Sequence, residues 1–148
     1  MLSKYLALSH IPPMMPKFFG YPYGGIPIFS FSGITFSLNV IANSGSAFGF
    51  FQGYAGLLFC LRVFMIAGLV RHAIMQRKEK TDWALGLIIA GAIGNGIDYI
   101  FYGHVIDFFH ACFWGASFPI FNLGDCYITL GVLALLLFFR PLPKKEST

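Results

Sequence analysis

Two apolar runs, Tyr54 to Val70 and Trp83 to Tyr102, stand on either side of a basic stretch, Arg71 to Lys80. A bilayer core needs about 20 helical residues, so each run is a candidate span. A third run, Cys126 to Phe139, is shorter. At about 1.5 Å per residue it covers roughly 21 Å of a core about 30 Å thick, so the residues just before it are expected at, or slightly inside, the membrane boundary. With flanking residues included, the spans are placed at 54–75, 83–102 and 126–140 of a single domain, 1–148.

Arg71, Arg77, Lys78 and Lys80 follow the first run and Arg140, Lys144 and Lys145 the third, so both clusters are expected on the cytoplasmic side. Two spans separate them, and charge pattern and span count agree. Gly103 to Gly124, and everything before Tyr54, then fall on the extracytoplasmic side. With 11% charged residues and a mean hydropathy of +0.71, the chain is far from what a soluble surface requires. Its basic residues form short clusters beside apolar runs rather than a stripe, which argues for membrane lipids as partners and against nucleic acid. Cys60, Cys112 and Cys126 form neither an even disulfide framework nor a zinc-type pair. His10, His72, His104 and His110 show no paired ligand spacing, so no metal and no cofactor are expected. Pro12, Pro13 and Pro16 break any early hydrophobic run, and no ordinary targeting signal is expected at the amino terminus.

The segment 26–41 has a different rhythm. Ile34, Phe36, Leu38 and Val40 alternate with Thr35, Ser37 and Asn39, a period of two that predicts a short strand with one greasy face. Followed by the turn Asn43-Ser44-Gly45-Ser46, it suits a small sheet on the outer membrane surface. Pro12 to Pro27 has no assignable structure.

Ionisable residues at membrane depth mark function or a paired structural role. Arg62, Asp98, Asp107 and Asp125 qualify. Asp107 and Asp125 belong to the outer ends of consecutive antiparallel spans, so the topology brings both to one membrane face. Close carboxyls in a poorly solvated site cannot both ionise; one keeps its proton while the other acts as base toward a water. Two plainer readings stand beside this one. Asn122 is a plausible N-cap with an acid three residues on, so Asp125 serves equally well as a capping partner. Asp107, set between large apolar residues in Val105-Ile106-Asp107-Phe108-Phe109, gains nothing locally, but a loop carboxylate in water remains open.

These residues resemble the motifs of the lipoprotein signal peptidase (signal peptidase II) family, in order and spacing, over roughly Leu2 to Phe139. Asn43 to Gly49 resembles its Asn-x-Gly-x-Ala-Phe-Gly block. Gly91-Ala92-Ile93-Gly94-Asn95 with Asp98 resembles Gly-x-x-Gly-Asn-x-x-Asp, Val105 to Phe108 resembles Val-x-Asp-Phe, and Phe118 to Asp125 resembles Phe-Pro-x-Phe-Asn-x-Ala-Asp. The resemblance implies an all-α membrane protein, a transmembrane helical bundle of four spans in the family and three here, with a small extracytoplasmic β-sheet. It implies Asp107 and Asp125 as the catalytic pair, with Asn43, Gly91, Asn95, Asp98 and Asn122 lining the site. The reaction it implies is hydrolysis of the bond before the diacylglyceryl-modified cysteine of a prolipoprotein, by a monomer in the bacterial cytoplasmic (inner) membrane with its site toward the periplasm. A lipid that anchors the scissile bond at that depth supplies proximity.

Three departures qualify the resemblance. Tyr99 stands where the family has Arg, and Arg62 is a candidate substitute that reaches Asp98 or the pair; snorkelling outward is its alternative. Gly124 replaces the usual Ala, a small-for-small change. Leu2-Ser3-Lys4-Tyr5 resembles the end of the Asp-Gln-x-Ser/Thr-Lys motif that closes the family's first span, which implies that this span and its acid are absent. Either the recorded start is too late or the product is truncated; translocation of the amino terminus without a signal favours the first. The rival reading is a non-catalytic membrane protein, either an inactive truncated member or a small transporter subunit. A transporter is expected to show mid-span acids in repeated halves, and no repeat is visible.

Overall fold

The computed structural model describes residues 2–11, 25–43, 55–76 and 79–138. Along the chain these form α1 (Leu2–His10), β1 (Ile26–Phe31), β2 (Ile34–Asn43), α2 (Ala55–Gln76), α3 (Glu79–Tyr102), β3 (Val105–Phe113), β4 (Ala116–Ser117) and α4 (Leu123–Phe138). Positions 44–49 of the Asn43 block, Tyr54, and positions 139–140 of the last expected span lie outside the described residues.

The expected small sheet is present and larger than the alternation alone suggested. Four antiparallel strands run in the order β1-β2-β3-β4, with α2 and α3 inserted between the two central ones. Tight turns at Ser32-Gly33 and Trp114-Gly115 close the outer hairpins, and all four turn residues have positive φ, between 47° and 83°. Two consecutive positive-φ residues match the right-handed twist of flanking strands, and glycine at the second position removes half of the steric cost.

Between Leu38 and Ile41 the register of β2 against β3 slips by one residue. Leu38 faces Phe109, but Ile41 rather than Val40 faces Asp107, and Asn43 faces Val105. Such a bulge switches the parity of the strand beyond it. It puts Asn43 on the same sheet face as Asp107; an unbroken ladder would put Ala42 there.

The other anchor of the fold is the seam between α3 and α4. A Cβ on Gly91 would collide with the carbonyl oxygen of Gly124, and one on Gly131 would lie 2.6 Å from Ala84 O. Backbones this close need small residues at both contacts, the usual device where lipid offers no hydrophobic drive between helices. The core beneath the sheet is made by Val40, Ile106 and Phe108 with Ala7 and Ile11 from the α1 end of the chain. Outward faces remain greasy, with Phe64, Ile100, Phe101, Leu136, Leu137 and Phe138 all exposed. Patches of that kind need a lipid or protein cover. Among the described residues one helix, Thr81–Tyr102, is long and apolar enough to cross a membrane, and Leu123–Phe138 is a shorter apolar helix.

Candidate active site

Asp107 does not sit at the end of a span, as the sequence reading expected, nor in a watery loop. It lies on β3, 2% exposed. β3 is one of the two central strands of the sheet and is buried along nearly all its length. The carboxyl is held from two sides: Asn43 Nδ2 donates to Oδ2 at 2.8 Å, and Asn122 Nδ2 donates to Oδ1 at 2.6 Å. Burial pushes the Asp107 carboxyl above its ordinary range and the neighbouring Asp125 adds to the push, while the amides of Asn43 and Asn122, and Lys4 more weakly, pull it back.

Asp125 arrives by a different route. Phe121 pairs with Phe109 through hydrogen bonds in both directions, so the segment before α4 runs along β3 and delivers Asn122 beside Asp107. Asn122 then starts the helix. Its Oδ1 accepts from Gly124 N at 2.6 Å, and its own N–H donates to Asp125 Oδ2 at 2.9 Å. These reciprocal bonds are a capping box. The capping reading of Asp125 is therefore realised, without removing the carboxyl from the site, because Asp125 Oδ1 accepts from Asn95 Nδ2 at 2.9 Å and the group faces a cavity.

That cavity, of about 670 Å³, has both aspartates in its wall, together with Asn43, Asn95 and Arg62. Its apolar remainder comes from Val105, Phe118, Pro119, Ile120, Phe121 and Leu130. Such a lining, with a few converging polar groups, suits an apolar chain carrying one polar linkage. Gly91, Asp98 and Asn122, expected as lining residues, stand behind the wall. Gly91 sets the approach of α3 to α4. Asn122 is fully buried and ties the two acids together, its side chain to one and its backbone to the other.

Asp98 is fully buried too; of the two places expected for Arg62, beside Asp98 or beside the pair, the first is taken by Lys4. Lys4 Nζ donates to Asp98 Oδ2 at 2.5 Å, and Ile106 N donates to the same oxygen at 3.0 Å. Arg62 lines the cavity with the pair instead. Lys4 is the residue that sequence reasoning passed over, using it only as a fragment of a motif. The available signal was its spacing, because Lys4, Ala7 and Ile11 fall on one helical face. Gly124 also matters more than a small-for-small exchange suggests, since a Cβ there would lie 2.8 Å from Asn95 Oδ1 and 2.9 Å from Asn122 Oδ1, the amides that hold the acids.

Residues 1–140 match the sequence model of a family described as Signal peptidase (SPase) II. A lipoprotein signal peptidase of Chlamydia pneumoniae is 41% identical over 122 residues, 80% of this chain and 73% of that protein. One of Geobacillus thermodenitrificans is 37% identical over 109 residues, 71% of this chain and 68% of its own. A bacterial membrane enzyme solved at 2.3 Å resolution aligns with a TM-score of 0.76 at 25% identity, over 99% of this chain and 85% of that one.

Proposed function

The chain belongs to the signal peptidase II family, and from that premise we propose that it is an aspartic endopeptidase of the bacterial inner membrane that removes signal peptides from lipid-modified prolipoproteins, with Asp107 and Asp125 as its hydrolytic pair. The observation that carries the reading is the convergence of the two carboxyls on one largely apolar cavity, each held by amide donors and joined through Asn122.

The unequal settings of the two carboxyls support a division of labour. Asp107, whose carboxyl burial pushes upward, keeps the proton and donates it to the scissile carbonyl oxygen. Its oxygens still accept from Asn43 and Asn122, because a protonated carboxyl retains lone pairs on both. Asp125, facing two N–H donors at the positive end of α4, is complemented as a carboxylate. It takes a proton from the attacking water as the oxygen bonds to the carbonyl carbon, and no covalent enzyme intermediate forms. Collapse of the tetrahedral species moves that proton from Asp125 to the departing amine, the nitrogen of the lipidated cysteine, while a hydroxyl of the tetrahedral carbon returns its proton to Asp107 and restores the pair. The acyl chains of that cysteine hold the bond at membrane depth and supply proximity.

The spans at 54–75, 83–102 and 126–140, a site facing the periplasm and action as a monomer complete the proposal. A non-catalytic role is not favoured, since such a role gives no reason to bring two acids to one cavity. Asp107→Asn and Asp125→Asn each lose at least about a thousandfold in cleavage of a diacylglyceryl-modified precursor, read by its mobility shift, while still fractionating with membranes. Processing by either variant at the parental rate removes the assignment.

A further inference from the structure

Lys4 is a cation in a place where cations are costly. It is 5% exposed, on the face of α1 that Ala7 and Ile11 seat against Val40, Ile106 and Phe108. A buried ammonium needs a counter-charge, and Asp98 supplies one. Neutrality would be complete with that contact alone. A second bond exists nonetheless: Lys4 Nζ donates to Asn95 Oδ1 at 2.8 Å.

This second bond has a geometric consequence. An ammonium only donates, whereas an Asn side chain has one accepting and one donating end. With its oxygen committed to Lys4, Asn95 presents its NH₂ in the other direction, where Asp125 Oδ1 accepts it at 2.9 Å. A flipped amide would set its oxygen against the carboxylate. The same ammonium reaches the other acid's strand, because its partner Asp98 Oδ2 accepts from Ile106 N, the residue next to Asp107.

We propose that Lys4 is a positioning residue for the hydrolysis: it holds the Asn95 amide in the one orientation that donates to Asp125, and so keeps that carboxylate aimed into the cavity. This rests on the reading of Asp107 and Asp125 as the hydrolytic pair. Lys4 hydrogen-bonds to neither acid of that pair and its charge pulls only weakly on Asp107, so its main effect travels through Asn95.

The test is a double-mutant cycle on the full chain in detergent micelles, with a diacylglyceryl-modified peptide as substrate. Lys4→Met lowers kcat by about tenfold or more while KM stays within about threefold, as misaiming of a group produces. In an Asn95→Ala background the same change costs less than about twofold, because the route it acts through is already gone. Lys4→Arg, which keeps a buried donor, recovers most of kcat. If Lys4→Met fails to fold, Lys4→Met with Asp98→Asn removes both charges together, and that pair shows the parental melting temperature with the same loss of kcat. A parental kcat in Lys4→Met, in the pair, or losses from Lys4 and Asn95 that simply multiply, would overturn the proposal. Asp125→Asn run in parallel separates the two readings. If it cleaves, the underlying pair is wrong; if it is inactive while Lys4→Met is not impaired, only the role of Lys4 falls.

Discussion

Asp107 and Asp125 reach one cavity from two different kinds of backbone. The first stands in the middle of a strand buried along nearly all its length, where burial is the largest influence on its carboxyl and two side-chain amides are what it has to lean on. The second stands in the first turn of a helix, where a backbone N–H, a side-chain amide and the helix dipole all face it. Identical side chains are thus given unequal surroundings. For the hydrolytic pair proposed above, that asymmetry would separate acid from base, a choice that two equivalent carboxyls would leave undecided.

The sharpest way to break the comparison is at Asn122, the residue common to both settings. Asn122→Ala removes the donor to Asp107 Oδ1 and the acceptor for Gly124 N in a single step. The expected result is a loss of about a hundredfold in kcat, together with about 1–2 kcal/mol of stability from the missing cap. Steady-state kinetics and thermal unfolding in the same detergent measure both. Loss of stability with kcat unchanged would show that the link between the acids is only architectural.

The helix side is tested next, at its spacing. Gly91→Ala sets a methyl group against the backbone of α4, and backbone cannot rotate away as a side chain can. A cost of about 1–3 kcal/mol is expected, with kcat falling as α4 carries Asp125 outward. Gly86→Ala on the same helix, with open space around it, is expected to be neutral or slightly stabilising, by up to about 1 kcal/mol. Equal melting temperatures for the two variants would contradict the seam.

How much of this was legible before the coordinates follows the same division. Asp125 and its cap were readable because an N-cap is a local device, written within Asn122 to Asp125. The sheet was readable at β2, where Ile34, Phe36 and Leu38 alternate with polar residues, but not at β3. Val105 to Phe113 is buried on both faces, so it shows no polar alternation, and a strand of that kind reads as an apolar loop or the tail of a helix. The bulge between Leu38 and Ile41 leaves no local mark at all, although it decides that Asn43 and not Ala42 meets Asp107. The motif blocks picked out residues that the fold gathers, but not their layering, with Asn43 and Asn95 in the cavity wall and Gly91, Asp98 and Asn122 behind it. Lys4 and Asp98 are 94 residues apart in the chain, a pairing that only the fold can announce.

The mildest test sharpens the comparison on the strand side. Asn43 donates to Asp107 Oδ2 and so draws its pKa down against the opposing effect of burial. Asn43→Ala removes that pull, and the Asp107 pKa rises further. If Asp107 is the group that must keep its proton, activity falls as pH climbs through its pKa, so the alkaline limb of the kcat profile moves to higher pH in the variant. At the optimum, kcat drops by only about three- to tenfold, because one donor of two is lost and the acid stays in place. Were Asp107 instead the base, activity would rise with pH through the same pKa, and the acid limb would move up while the alkaline limb stayed still. The limb that moves therefore assigns the proton, and a shift of the acid limb would exchange the roles of the strand carboxyl and the helix carboxyl.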